Sequence, residues 1–177
     1  PYGKTGWILL NNMSINYTLK KPNMANANEL DRRILTLKKV FAVPVSTVWE
    51  AWAQPEHIVK WWVPKGMEVK IVEHDFKVGG RWKYTMVMPN GQDFISEGVY
   101  SEIIPMKKIV TSADFKPMTA GVIMQTSFEE INNKTHLTFS IIHPTAEYRD
   151  QQEKMGFYNG WGTAFIRLEA YLLSLNE

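Results

Sequence analysis

The sequence predicts an α+β fold in which a curved antiparallel β-sheet wraps around a long C-terminal α-helix, with two short helices after the first strand. Three observations lead there. Between Met155 and Leu175, the apolar residues Phe157, Trp161, Phe165, Leu168, Leu172 and Leu175 recur at spacings of three and four, which places them on one side of a helix. The middle of the chain alternates apolar and polar residues between short turn signals, the pattern of consecutive antiparallel strands. A helix face this apolar needs a large apolar partner, and the strands upstream are where the chain can supply one.

In chain order, residues 1–28 read as an extension, either disordered or an added strand, and 29–177 as a single domain. Residues 6–19 mix β-formers with Asn11, Asn12, Ser14 and Asn16 and alternate only weakly. From Arg33 to Ala42, Ile34, Leu35, Leu37, Val40 and Phe41 favour a first strand, which Pro44 stops. Ser46 or Thr47 is expected to cap a short helix carrying Val48, Trp49, Ala51 and Trp52, with Glu50 near its N-terminal dipole. Pro55 then opens a second helix, because its missing amide proton costs nothing in a first turn. Pro64 and Gly66 are expected to end it.

Met67 to Asp75 alternates as a strand, and Val78, Gly79 and Gly80 link it to the next, where Trp82, Tyr84, Met86 and Met88 share a face. Pro89, Asn90 and Gly91 signal a tight turn. Further strands fit Asp93–Ile104, Lys108–Ala113, Ala120–Glu130 and Thr135–His143. In the last pair Val122, Met124, Thr126 and Phe128 oppose Leu137, Phe139, Ile141 and His143 as inner faces. Gly156, Gly160 and Gly162 fall in the first half of the long helix, where each costs about 1 kcal/mol relative to alanine. They imply close backbone approach, or space, beside Trp161.

Composition bounds the function. The 177 residues are 45% hydrophobic and 21% charged, close to the globular average of roughly 45–50% and 25%. The chain has no cysteine, which excludes disulfides, thiolate metal sites and a cysteine nucleophile. A net charge of +2 with scattered lysine pairs makes no basic face for nucleic acid. No run reaches the length of a membrane span, so a soluble, cytoplasmic protein is expected.

Several motifs point one way. Phe41, Ala42, Pro44, Val48, Trp49 and Ala51 are followed by Pro55, Glu56, Trp61, Trp62 and Pro64. Val78, Gly79, Gly80 and Trp82 come next, then Asn90 and Gly91. Gly98, Tyr100, Glu102, Ile103 and Pro105 follow, and finally Gly160, Trp161 and Leu168. In this order and spacing they resemble the START-like, birch-pollen-allergen-like (SRPBCC) superfamily, and within it the branch related to the activator of heat-shock chaperone ATPase. The resemblance spans residues 35–175. It implies a helix-grip fold, in which the sheet grips the C-terminal helix around an internal cavity. Eukaryotic activators of that branch add a separate chaperone-binding N-terminal domain, for which this chain has no room. A chaperone partner therefore stands behind a small molecule in the expectation.

The residues expected to line the cavity are Trp62, Trp82, Tyr84, Met86, Met124, Phe139, His143, Phe157, Trp161 and Phe165. Aromatics supply area and methionines an adaptable wall, while Tyr84 and His143 are the candidate orienting groups. The expected ligand is a hydrophobic small molecule, lipid-like or aromatic, with no cofactor. A cyclase-type enzyme would need His143, Tyr84 or Glu102 to converge inside, and a chaperone-binding module would expose aromatics around Trp61 and Trp62. No catalytic constellation is identifiable: Glu97 and Glu102, at odd separation on one strand, face opposite sides unless a bulge intervenes. His57, His74, His136 and His143 lack metal-ligand spacing. The oligomeric state is not legible. Because residues 1–23 lie outside the resemblance, their deletion is expected to change stability by less than about 2 kcal/mol, a small part of the roughly 5–15 available to a domain; a thermal melt with a larger loss would make them part of the fold.

Overall fold

The computed structural model describes residues 29–62 and 67–175; the expected extension 1–28 and the helix stop at Pro64 and Gly66 lie outside the described residues. Strand β1 (Ile34–Phe41) leads into helices α1 (Val45–Ala53) and α2 (Pro55–Trp61). Six strands follow: β2 (Lys70–His74), β3 (Arg81–Val87), β4 (Asp93–Ile104), β5 (Lys108–Lys116), β6 (Thr119–Ile131) and β7 (Lys134–Ile142). Helices α3 (Ala146–Lys154) and α4 (Phe157–Ser174) complete the chain. The sheet runs β1-β7-β6-β5-β4-β3-β2, and every neighbouring pair is antiparallel. The α1–α2 excursion carries the chain from one edge of the sheet to the other.

The sheet curves around α4. Register shifts between Ile71 and Glu73, Tyr100 and Glu102, and Ala113 and Phe115 interrupt the ladders, and an extra residue in one strand bends it and increases its twist. On the concave side Val122, Met124, Thr126, Phe128, Leu137, Phe139 and Ile141 are all buried, and Thr126 opposite Phe139 and Met124 opposite Ile141 fix their register. In β4, Gly98 lies opposite Trp82. A Cβ there would stand 1.9 Å from the Ser112 carbonyl oxygen and 2.8 Å from Trp82 Nε1, so only glycine lets the indole reach Thr111 Oγ1, to which it donates at 2.7 Å.

Helix α4 buries Phe157, Ala164, Phe165, Leu168 and Leu172 against this surface. Phe139 meets Trp161 at a ring separation of 4.4 Å and Phe165 edge-on at 5.3 Å. Lys39 Nζ donates to Glu169 Oε2 at 2.7 Å, tying the helix to β1, and Arg167 Nη2 donates to the Lys60 carbonyl at the end of α2 at 2.9 Å. Among the described residues no helix is long and apolar enough to cross a membrane.

The helix boundaries differ from the expected ones in three places. The capping position of α1 is Pro44, with no side-chain cap, because Ser46 and Thr47 already lie inside the first turn. The exposed Val45 N–H is instead satisfied across the fold, donating to Glu130 Oε2 of β6 at 2.8 Å, and Glu50 stands beyond the first turn. The expected C-terminal helix from Met155 begins at Phe157 instead, and a separate helix, α3, precedes it. Gly156 has φ +102°, a left-handed conformation that only glycine adopts freely, and it turns the chain between α3 and α4. Helix α3 buries no residue, so no apolar periodicity marked it. Its signals are local: the Thr145 hydroxyl accepts from Tyr148 N–H at 3.1 Å, and Glu147 and Lys154 suit the two ends of the helix dipole. Leu175 is 45% exposed beyond the end of α4 and drops out of the buried face.

Truncating Phe139, which is 0% exposed, to alanine is expected to cost about 3–5 kcal/mol in chemical denaturation. Trp161→Ala should cost less, about 2–3 kcal/mol, because its ring is only partly covered; equal losses would mean both rings are packed alike. On the convex face Glu97 Oε1 meets Lys116 Nζ at 2.6 Å and Oε2 meets Lys83 Nζ at 2.9 Å. Lys116 first, then Lys83, holds the Glu97 carboxyl down at about 2, from an ordinary 4.5. A depressed carboxyl contributes stability above its unfolded value and loses it as pH falls through the window between the two. Glu97→Gln should therefore lessen the loss of the urea midpoint as pH falls from 4.5 towards 2; parallel acid limbs for both proteins would show that these ion pairs add nothing.

A candidate ligand cavity between the sheet and the first turns of helix α4

On the concave face, β3, β4 and β5 bring short rows of side chains together across the strands. Ser96 lies between Tyr84 and Phe115, and Phe94 lies opposite Met86. Facing them are Phe157, Gly160, Trp161 and Ala164 of α4, while Met88, Met118 and Thr119 come from strand ends and turns. Gln152, Met155 and Gly156 at the α3–α4 junction, and Trp62 just past α2, complete the wall. They surround a partly open cavity of about 270 Å³. The space exists because the helix presents glycine and alanine here: an added Cβ at Gly160 would meet nothing within 4 Å. Gly160 thus leaves room in the cavity, while Gly162 does not line it; the alternative of close backbone approach holds at neither.

The wall is aromatic and methionine-rich, with few polar groups. At the mouth Thr119 Oγ1 donates to Gln152 Oε1 at 2.5 Å, and Gln152 Nε2 donates to the Met118 carbonyl at 3.3 Å; these bonds tie α3 to the β5–β6 turn. Deeper, Ser96 is 2% exposed and its Oγ accepts a long contact of 3.4 Å from Trp62 Nε1.

Of the ten residues expected from sequence, Trp62, Met86, Phe157 and Trp161 stand on this wall. Trp82, Tyr84, Met124, Phe139 and Phe165 belong to the packed core beside it. The Tyr84 hydroxyl is directed to His74 Nδ1 at 2.8 Å, while His74 Nε2–H donates to the Ala53 carbonyl at 2.8 Å. Burial, and then the neighbouring Tyr100, pushes the Tyr84 hydroxyl far above the ordinary tyrosine range. His143 is 2% exposed but sits one residue past β7, where Nδ1–H donates to the Arg33 carbonyl at 3.0 Å and the ring meets Tyr148 edge-on at 5.8 Å. Burial lowers its pKa. Neither proposed orienting group touches the cavity, because each already has a partner elsewhere in the fold.

Sequence reasoning passed over Met88, Phe94, Ser96, Phe115 and the residues from α3 and the β5–β6 turn. Phe94 and Ser96 could have been found by extending the Met86 face across the Asn90–Gly91 turn; Gln152 and Met155 carried no periodic signal. The bulge between Tyr100 and Glu102 reverses the expected parity and turns Glu102 to the same side as Glu97. There Glu102 meets Lys108 at 2.7 Å, so both carboxylates are ion-paired away from the cavity. His57 Nδ1 lies 2.5 Å from the Tyr171 hydroxyl. Among the described residues no cluster of three or more His, Asp or Glu could hold a metal ion.

Comparison with known proteins agrees with this geometry. The family described as Activator of Hsp90 ATPase homolog 1-like protein matches residues 42–173. A Nitrosomonas europaea protein of known structure is 28% identical, with a TM-score of 0.71 over 82% of this chain and 97% of its own. A Mycobacterium smegmatis protein is 26% identical, with a TM-score of 0.74 over 84% and 96%. An AHSA1-like protein from Aeromonas hydrophila, at 17% identity and a TM-score of 0.62 over 80% and 94%, shares the fold. No curated protein matches the chain. With the matched segment running from the end of β1 almost to the end of α4, the chain belongs to the Activator of Hsp90 ATPase homolog 1-like family, within the START-like (SRPBCC) superfamily of helix-grip folds.

Proposed function

We propose that the protein binds a small hydrophobic molecule in the cavity between β3–β5 and the start of α4. The observation that carries this reading is a partly open space of about 270 Å³ walled by aromatic and methionine side chains, in a position where the helix omits side chains that could fill it. Ligand sites are concave and mostly apolar, with a few polar groups that orient the ligand. Methionines let such a wall adapt to shape. Burying about 300 Å² of apolar ligand at roughly 25 cal/mol per Å² gives a gross gain near 7 kcal/mol before association costs, which sets micromolar binding as the expectation.

The second reading is an interaction module of the chaperone-ATPase-activator kind, favoured by family membership. Of the two aromatics expected at its surface, Trp61 is 0% exposed and its indole donates to the Ala51 carbonyl at 2.9 Å. The small-molecule reading has the more specific support.

Titration with Nile red, an uncharged apolar dye, tests it through dye emission and tryptophan quenching. A micromolar Kd is expected, and Gly160→Leu, which sends a side chain into the open space, should abolish binding while raising the thermal midpoint, since leucine is the better helix former by roughly 0.8 kcal/mol. Dye and competing flavonoids, fatty acids and sterols that all bind more weakly than about 1 mM, worth only about 4 kcal/mol, would refute the reading in favour of the interaction module.

A further inference from the structure

Ser96 is the anomaly of the cavity wall. Its neighbours on the concave side of β4 are Phe94, Gly98 and Tyr100, and it lies between Tyr84 and Phe115 on the adjoining strands. It is 2% exposed, yet its only polar contact among the described residues is Trp62 Nε1 at 3.4 Å. That contact uses the serine oxygen as acceptor, because an indole nitrogen can only donate. Among the described residues, the Ser96 hydroxyl proton therefore has no acceptor. A buried donor left without an acceptor is costly, and this one lies on a wall with space in front of it.

The other polar groups of the wall are already engaged. Thr119 and Gln152 bond each other, and Gln152 also reaches the Met118 carbonyl. The described wall contains no Asp, Glu, Lys, Arg or His. An ionised ligand group moved into it would exchange its hydration for a single hydroxyl donor and a set of apolar side chains, which disfavours the charged form. A neutral acceptor oxygen loses far less hydration and matches the one donor on offer.

Resting on the binding role proposed above, we infer that the cavity selects an uncharged ligand with an acceptor oxygen, which receives the Ser96 hydroxyl proton while the apolar body lies among Phe94, Phe115 and Trp161. Ser96 is thus a specificity-determining residue, and it discriminates a ketone, ether or alcohol from both the bare hydrocarbon and the carboxylate.

Three ligands on one rigid skeleton test this by calorimetry at neutral pH: 2-acetylnaphthalene, 2-ethylnaphthalene and 2-naphthoate. The ketone is expected to bind about three- to tenfold more tightly than the hydrocarbon, the range of one neutral hydrogen bond, and the carboxylate at least about tenfold more weakly than the ketone. Ser96→Ala should bring the ketone down to the hydrocarbon, and Ser96→Thr, which keeps the hydroxyl, should restore the difference. The ketone-to-hydrocarbon ratio is taken within each variant, so a change in overall stability cancels. Carboxylate binding as tight as the ketone, or a ratio that survives Ser96→Ala, overturns the inference while leaving the cavity a ligand site. Failure of all three to bind wild-type protein overturns both.

Discussion

The structure depends on covering one face of α4. Phe157, Phe165, Leu168 and Leu172 are all buried on it, and apolar area of that extent is the main favourable term available to a domain of this size. A flat sheet would touch a cylinder along only a few strands. The bulges at Ile71/Glu73, Tyr100/Glu102 and Ala113/Phe115 supply curvature, and the order that places β1 beside β7 lets β1, tied to α4 through Lys39 and Glu169, serve as one wall. Helices α1 and α2 then contribute Val48, Ala51, Trp52, Ile58 and Trp61 to the same core.

Coverage of α4 is uneven along its length, and the cavity follows from that. Towards its C-terminal half Leu168 and Leu172 are 0% and 1% exposed, and Arg167 fastens the helix to the end of α2. Towards its start the helix offers Gly160 and Ala164 to the sheet, and the sheet offers Ser96. Small residues on both sides leave a gap that larger aromatics surround without filling. Close packing is the norm in protein interiors, so a gap walled by side chains from four strands and two helices is a feature of the arrangement and not of any one element.

Polar groups are distributed accordingly. The lysines of β3 and β5 pair with Glu97 and Glu102 on the convex side, where water moderates the cost of the charges around Glu97. Inside, Trp82 is satisfied by Thr111, Tyr84 by His74, and Thr135 by the Val43 carbonyl at 2.9 Å. These bonds make the core specific while consuming the hydroxyls and imidazoles that might have faced a substrate. The groups that look reactive in the sequence, His143, Tyr84 and Glu102, are therefore engaged in contacts within the fold, and the polar side chains of the cavity wall are an unremarked serine inside and Thr119 and Gln152 at the mouth.

What the sequence determined by itself was the type and order of nearly every strand and helix and the face each presents to the core, because apolar periodicity and turn chemistry are local properties: the ends of β4 at Asp93 and Ile104 and the opposed faces of β6 and β7 needed only neighbouring residues. It missed α3, which has no apolar face, and began α4 two residues early at Met155, because the left-handed geometry of Gly156 leaves no mark in a periodic pattern. It placed Trp62, Met86, Phe157 and Trp161 together and could not separate them from Trp82, Met124, Phe139 and Phe165, since all are large apolar residues on inward faces. Only the tertiary structure decided which of them border empty space. A cavity is the mismatch between two surfaces, set by register, bulges and the rotation of α4 against the sheet, and those are fixed by contacts between residues more than a hundred positions apart, such as Lys39 with Glu169 and Arg167 with Lys60.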